Sequence, residues 1–137
     1  MNSGLIFYIL LTMFFCHIVD DYYLQGWLAN GKQREWWQKN APLPLYKNDY
    51  KMALIEHGFS WSYMIHLPLI VYSFCEIKDA GMAIFIGGSV VINAFIHAFV
   101  DDLKANKKKI NLIIDQICHF IQIGVTFVIF YLLLATR

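Results

Sequence analysis

Residues 82–103 read MAIFIGGSVVINAFIHAFVDDL, and from Met82 to Val100 no Asp, Glu, Lys or Arg occurs. At about 1.5 Å per residue, a helix of this length crosses a hydrocarbon layer roughly 30 Å thick. The run shows no strict alternation of apolar and polar residues, so it is not a barrel strand, and only helices or closed barrels can cross lipid. Its polar residues are not scattered. Asn93, His97 and Asp101 recur every four residues, which places them on one face. An ionisable group at the centre of a bilayer costs about 2.5–3.5 kcal/mol on insertion scales, so such a stripe must turn towards other helices or water. This stretch therefore predicts a membrane helix with a polar inner face.

Three further apolar runs, at about 5–24, 52–75 and 110–134, are also about 20 residues or longer, and the chain is 58% hydrophobic and only 15% charged. The expected fold is all-α: one integral membrane four-helix bundle spanning residues 1–137, with spans at 5–24, 52–75, 82–103 and 110–134. The first run lacks a basic leader and a small-x-small cleavage site, so it reads as a retained span. A net charge of +1 offers no case for a nucleic-acid partner. The three cysteines, Cys16, Cys75 and Cys118, lack CxxC spacing and read as small apolar residues.

Orientation follows from the basic residues. Nine of the eleven lie in the first and third loops (Lys32, Arg34, Lys39, Lys47, Lys51, then Lys104, Lys107, Lys108, Lys109), against Lys78 and Arg137 elsewhere. That bias places loops one and three in the cytoplasm and both termini outside. Loop one also alternates Trp27, Trp36 and Trp37 with basic residues before Pro42 and Pro44. This pattern predicts an interfacial loop or short helix between spans one and two, serving as an anchor or as a lid.

The polar residues fall at one depth. Spans one and three end in His17-Ile-Val-Asp20-Asp21 and His97-Ala-Phe-Val-Asp101-Asp102, while spans two and four begin with Glu56-His57 and Asp115 followed by His119. All lie within roughly 3–13 Å of the same membrane edge. His17/Asp21, His97/Asp101 and Asp115/His119 are i,i+4 pairs, each on one side of its helix. His66 lies near mid-membrane and reads as a hydrogen-bonded packing histidine. The halves also look like two related hairpins.

Imidazole and carboxylate together are a ligand set for zinc, iron or manganese, and their number suits one or two divalent ions. The expected metal ligands are His17, Asp21, His57, His97, Asp101, Asp115 and His119. Glu56 is the candidate catalytic base, and Gln25, Asn93, Lys104 and Gln116 are candidates to orient the ligands or attract a phosphate. Two other readings compete: an ion or proton path using the same groups, and a His–Asp network that only specifies helix packing.

These residues resemble the family of small membrane proteins called domain of unknown function 3307, found in bacteria and their phages. His17-Ile-Val-Asp20-Asp21-Tyr22-Tyr23-Leu24-Gln25 is similar to its most specific motif. Asn93, His97, Asp101 and Lys104 resemble its third-span motif, Asp115-Gln116-Ile117-Cys118-His119 its fourth, and His57 its second-span histidine. The resemblance implies the pairings His17–Asp21 and His97–Asp101, which helical spacing reaches independently. It brings no established activity, and the long first loop departs from the family pattern.

The expectation is a membrane-embedded, metal-dependent hydrolase at the cytoplasmic face of a bacterial inner membrane. Its substrate would be a lipid or other amphiphile, and a homo-oligomer is compatible with this reading. The alternatives are an ion or proton transporter and a non-catalytic bacterial or phage protein that interacts with the envelope.

Overall fold

The computed structural model describes residues 3–136. Its helices are α1 Ser3–Ile18, α2 Leu28–Gly31, α3 Arg34–Asn40, α4 Asp49–Tyr72, α5 Ala80–Ala105 and α6 Leu112–Ala135, and no strand occurs among the described residues. Two of them run on into π-helical segments: α1 into Val19–Leu24 and α4 into Ser73–Ile77. The all-α expectation therefore holds.

Three segments are long and apolar enough to cross a membrane: Gly4–Leu24, Ala80–Ala105 and Leu112–Ala135. The run expected at 52–75 lies mainly in α4 and is not among them. Glu56, His57, Ser60, Ser62 and His66 dilute its apolar content, and His57, Ser62 and His66 are buried. This composition suits its position, because α4 packs against both α1 and α5, while α6 touches α5 and α1. The face of a helix that is packed against neighbours can carry polar groups that a lipid-facing surface cannot.

The interior divides into two halves along the helix axes. One is an apolar core in which Ile9 and Met13 of α1 meet Trp61, Ile65 and Leu69 of α4, Met82 and Ile86 of α5, and Ile123 and Phe130 of α6. The other, where α1 and α5 end and α4 and α6 begin, holds the buried carboxylates and, His66 apart, the buried histidines. The outward faces of α1, α5 and α6 are apolar, with Phe7, Phe15, Ile84, Phe95, Ile113 and Ile121 exposed. So large an uncovered apolar surface is foreign to a soluble monomer.

Local chemistry sets the helix ends. Asp79 caps α5 by accepting from the Met82 amide at 2.8 Å, and Asn111 caps α6 by accepting from the Ile114 amide at 3.0 Å. Gly26, at φ +51°, follows the π-helical segment with a left-handed turn that glycine adopts without strain. At Gly58, α4 approaches α5 closely. A Cβ there would lie 2.5 Å from the Ala94 carbonyl oxygen and 3.2 Å from the Ala98 Cβ. Small residues at this crossing let the helices close up, and one residue before Gly58 and one before Ala98 stand His57 and His97.

Gly58→Ala is therefore expected to cost about 1–3 kcal/mol through overpacking against backbone, read as a lower denaturation midpoint of the detergent-solubilised chain. A midpoint equal to wild type would show that α4 and α5 do not approach this closely.

Candidate metal centre

Helical spacing alone brings Asn93, His97 and Asp101 to one inner face of α5, and all three are buried. Asp115 and His119 do the same on α6. On α4, His57 is buried and Glu56 exposed, because successive helical residues point about 100° apart. Glu56, expected as the catalytic base, therefore lies outside the centre.

On α1 the π-helical segment changes the outcome. It starts at Val19, and both Asp20 and Asp21 are buried within it. Spacing had preferred Asp21 alone, but the wider turn brings both carboxylates inside. Asp20 accepts from the Ser60 hydroxyl at 2.7 Å and sets its other oxygen 3.8 Å from His57 Nδ1.

Asp21, His57 and His97 offer one set of donor atoms close enough to share an ion, and His97, Asp101 and His119 offer a second. His57 Nε2 is 3.1 Å from His97 Nε2, 3.4 Å from Asp21 Oδ1 and 3.5 Å from Asp101 Oδ2, and His97 Nε2 is 3.8 Å from Asp101 Oδ2. His119 Nε2 is 3.7 Å from Asp101 Oδ1 and 3.5 Å from Asp115 Oδ1. His97 is common to both sets, and Asp101 lies between His57 on one side and His119 on the other. Five of the seven expected ligands (Asp21, His57, His97, Asp101 and His119) belong to sets of donor atoms close enough to share an ion. Asp115 stands beside the second set.

His17 does not join them. The Trp61 indole N–H donates to His17 Nδ1 at 2.7 Å, so the ring proton of a neutral His17 is on Nε2, which donates to Gln116 Oε1 at 3.0 Å. Both nitrogens are engaged, and the expected i,i+4 pair with Asp21 is replaced by a relay through Gln116. The Gln116 amide donates to Asp21 Oδ2 at 3.0 Å and to Asp115 Oδ2 at 3.1 Å. His17 acts on the centre through the orientation of Gln116.

The other supporting residues are near their expected places. The Gln25 amide donates to Asp21 Oδ1 at 2.8 Å and to the Asp21 carbonyl. Lys104 holds Asp115 at 2.5 Å. Asn93 acts at one remove: its side-chain oxygen accepts from Gln122 Nε2 at 3.1 Å, and Gln122 Oε1 lies 3.3 Å from His119 Nδ1. That arrangement puts the neutral His119 proton on Nδ1 and turns the Nε2 lone pair into the centre. From Asn93 the polar ladder continues to Thr126 at 2.9 Å and to the Ser89 carbonyl, and Ser89 Oγ meets His66 Nε2 at 2.8 Å. His66 Nδ1 bonds the Ser62 carbonyl at 2.7 Å, as a packing histidine should.

Sequence reading missed Lys32, Asp20, Trp61 and Gln122. Lys32, from the turn between α2 and α3, is buried and reaches Asp101 Oδ2 at 2.5 Å. Nothing in a basic loop distinguishes it from a topology lysine. Gln122 had a signal, since it lies one turn beyond His119. The loop that delivers Lys32 is braced by Trp27, Trp36 and Trp37 packed edge to face, by the Trp37 indole donating to the Gly31 carbonyl at 2.7 Å, and by Asn106 donating to the Lys32 carbonyl at 3.1 Å. Loop one thus contributes Lys32 to the centre.

The centre is underfilled in hydrogen bonds. Asp20 Oδ2, His57 Nδ1, His97 Nδ1, Asp101 Oδ1, Asp115 Oδ1 and His119 Nε2 are buried without a hydrogen-bond partner among the described residues. No family model, curated protein or solved structure matches the chain.

Removing one partner of a buried ion pair strands the other. In chelator-treated protein Lys32→Met is expected to cost about 3 kcal/mol, and adding Asp101→Asn should recover most of it. A double mutant whose loss equals the sum of the single losses would show that the pair is not coupled.

Proposed function

We propose that this chain is a four-span protein of a bacterial inner membrane that binds one or two divalent ions at its His/Asp centre and uses them for hydrolysis at the cytoplasmic interface. The observation that carries the metal reading is a contrast of distances within one cluster. The lysine–carboxylate contacts of Lys32 and Lys104 are 2.5 Å, whereas the His–Asp separations are 3.4–3.8 Å. Imidazolium groups bonded to carboxylates would sit at about 2.7–2.9 Å. Donors surrounding a zinc-sized ion at about 2.0–2.1 Å in a tetrahedron stand about 3.3–3.4 Å apart, close to the spacing of the first group.

Charge agrees with this. Asp20, Asp21, Asp101 and Asp115 face the two ammonium groups of Lys32 and Lys104, which leaves two negative charges in an apolar interior. One divalent ion neutralises them. When bound, such an ion supplies Lewis acidity and lowers the pKa of water to about 7.

The chain's own residues divide the remaining work. Asp21, His57 and His97 would hold the first ion, with Asp101 beside them. His119, with Asp115, would hold a second or, where only one is bound, accept a proton at Nε2. Asp20 would stand behind His57, orienting its ring through Nδ1. Gln116, Gln25 and Lys104 fix the carboxylates. The motifs that resemble domain of unknown function 3307 converge on this centre, which supports membership of that bacterial and phage family as part of the proposal. The basic residues flanking it support placing this end in the cytoplasm, with both termini outside.

Ion or proton transport is the competing reading, and the ladder from His119 through Gln122, Asn93 and Ser89 to His66 is the feature that favours it. Beyond His66 the helices bring together Leu69, Met82, Ile86 and Phe130, an apolar plug that favours an orienting role for the ladder.

Purified chain supplied with zinc is expected to retain about one to two ions per chain, His97→Ala less than about 0.3, and Glu56→Gln as much as wild type. Wild type at the level of His97→Ala overturns the metal reading. Hydrolysis of a micellar aryl phosphodiester should vanish with chelator and in Asp101→Asn; activity that survives both would defeat the hydrolytic one.

A further inference from the structure

On the loop side of the centre opens a cleft of about 350 Å³, within the range of small-ligand sites. Its floor is Asp21, and three lysines line it: Lys32, Lys104 and Lys108. Lys32 and Lys104 are committed to Asp101 and Asp115, whereas Lys108 is exposed and its nearest carboxylate, Glu35, is 3.8 Å away on an exposed side chain. Gln33 adds an amide to the wall, and Tyr22 and Leu112 give its rim an apolar character. The cleft is thus cationic on its walls, anionic at its floor and apolar at its rim.

The sign of its charge depends on the centre beneath. With only the lysines as counter-charges, the buried carboxylates leave two negative charges, and an anion is repelled. With a divalent ion bound, the centre is neutral, and Lys108, paired only with the solvent-exposed Glu35 at 3.8 Å, lines the cleft. The ion also competes with Lys32 and Lys104 for Asp101 and Asp115, which loosens two ammonium groups that already line the cleft. We propose that this cleft binds a phosphate group, carried by an amphiphile headgroup or free in solution, and that it does so only when the centre holds its ion. The inference rests on the metal reading and names the class of ligand for it. Linkage is reciprocal, so phosphate tightens the ion by the same factor as the ion tightens phosphate.

The test uses the full chain in maltoside micelles, zinc-loaded and freed of excess ion, or stripped by chelator. Inorganic phosphate and dihexanoyl phosphatidate are titrated calorimetrically, with dihexanoylglycerol as the phosphate-free control. Loaded protein is expected to bind at least one phosphate probe about tenfold or more tighter than stripped protein. Preference for the phosphatidate over inorganic phosphate identifies a headgroup, equal affinity identifies free phosphate, and either supports the proposal. Lys108→Gln, which touches no carboxylate of the centre, should weaken phosphate binding about three- to tenfold while zinc per chain stays at the wild-type value. Zinc bound in full with no phosphate binding overturns the cleft while the metal reading stands. Equal phosphate binding by loaded and stripped protein, or dihexanoylglycerol binding as well as the phosphatidate, also overturns it. A wild-type chain that takes up no zinc defeats both readings together.

Discussion

Asp101 is a carboxylate with no exposure to solvent in a largely apolar protein, and its satisfaction organises the molecule. Removal of such a charge from water costs several kcal/mol unless partners surround it. Lys32 comes to it from loop one, His57 from α4, His97 and Lys104 from α5 itself, and His119 from α6. The α1 end is joined through Asp21 against His57 and through Gln116. No two helices can slide past one another without breaking a contact to this group or to one of its neighbours.

The two halves of the interior have different tasks. At the apolar end, Leu69, Met82, Ile86, Ile123 and Phe130 fill space, and the stabilisation is non-directional. At the polar end, position matters to fractions of an ångström, and rings are held from behind. His97 packs against the Trp61 indole at 4.2 Å and the His119 imidazole at 4.1 Å, and those two rings lie 5.3 Å from each other, so the three form one cluster. Trp61 also donates to His17, so a single aromatic residue fixes one imidazole by its face and another by its edge. The ladder through Gln122 and Asn93 fixes the tautomer of His119. The buried oxygens of Asp20, Asp101 and Asp115 and the Nε2 of His119 that lack a hydrogen-bond partner are costly in such a setting, and these His/Asp groups could hold a metal ion.

Loop one joins the centre to its surroundings. Its tryptophans pack on one another and over Gly31, and they present Lys32 inward. Asn106, at the end of α5, receives the Arg34 amide at 2.7 Å and donates to the Lys32 carbonyl, so the α5–α6 connection latches the loop in place. The cleft lies between these two connections, where the basic residues concentrate.

The sequence by itself determined the helical class, the long apolar segments and the inward stripes, because hydrophobic run length and the 3.6-residue period are local properties. His57, His97, Asp101, Asp115 and His119 were legible for that reason, and so was the packing role of His66. Tertiary structure alone decided the rest. The π-helical turn buried Asp20 with Asp21, the indole of Trp61 took the lone pair of His17, and the Gly58 crossing brought His57 to His97. The same packing turned Lys32 in. Each of these depends on which groups meet across the interior and which lone pairs are already engaged, and neither helical periodicity nor residue type carries that information.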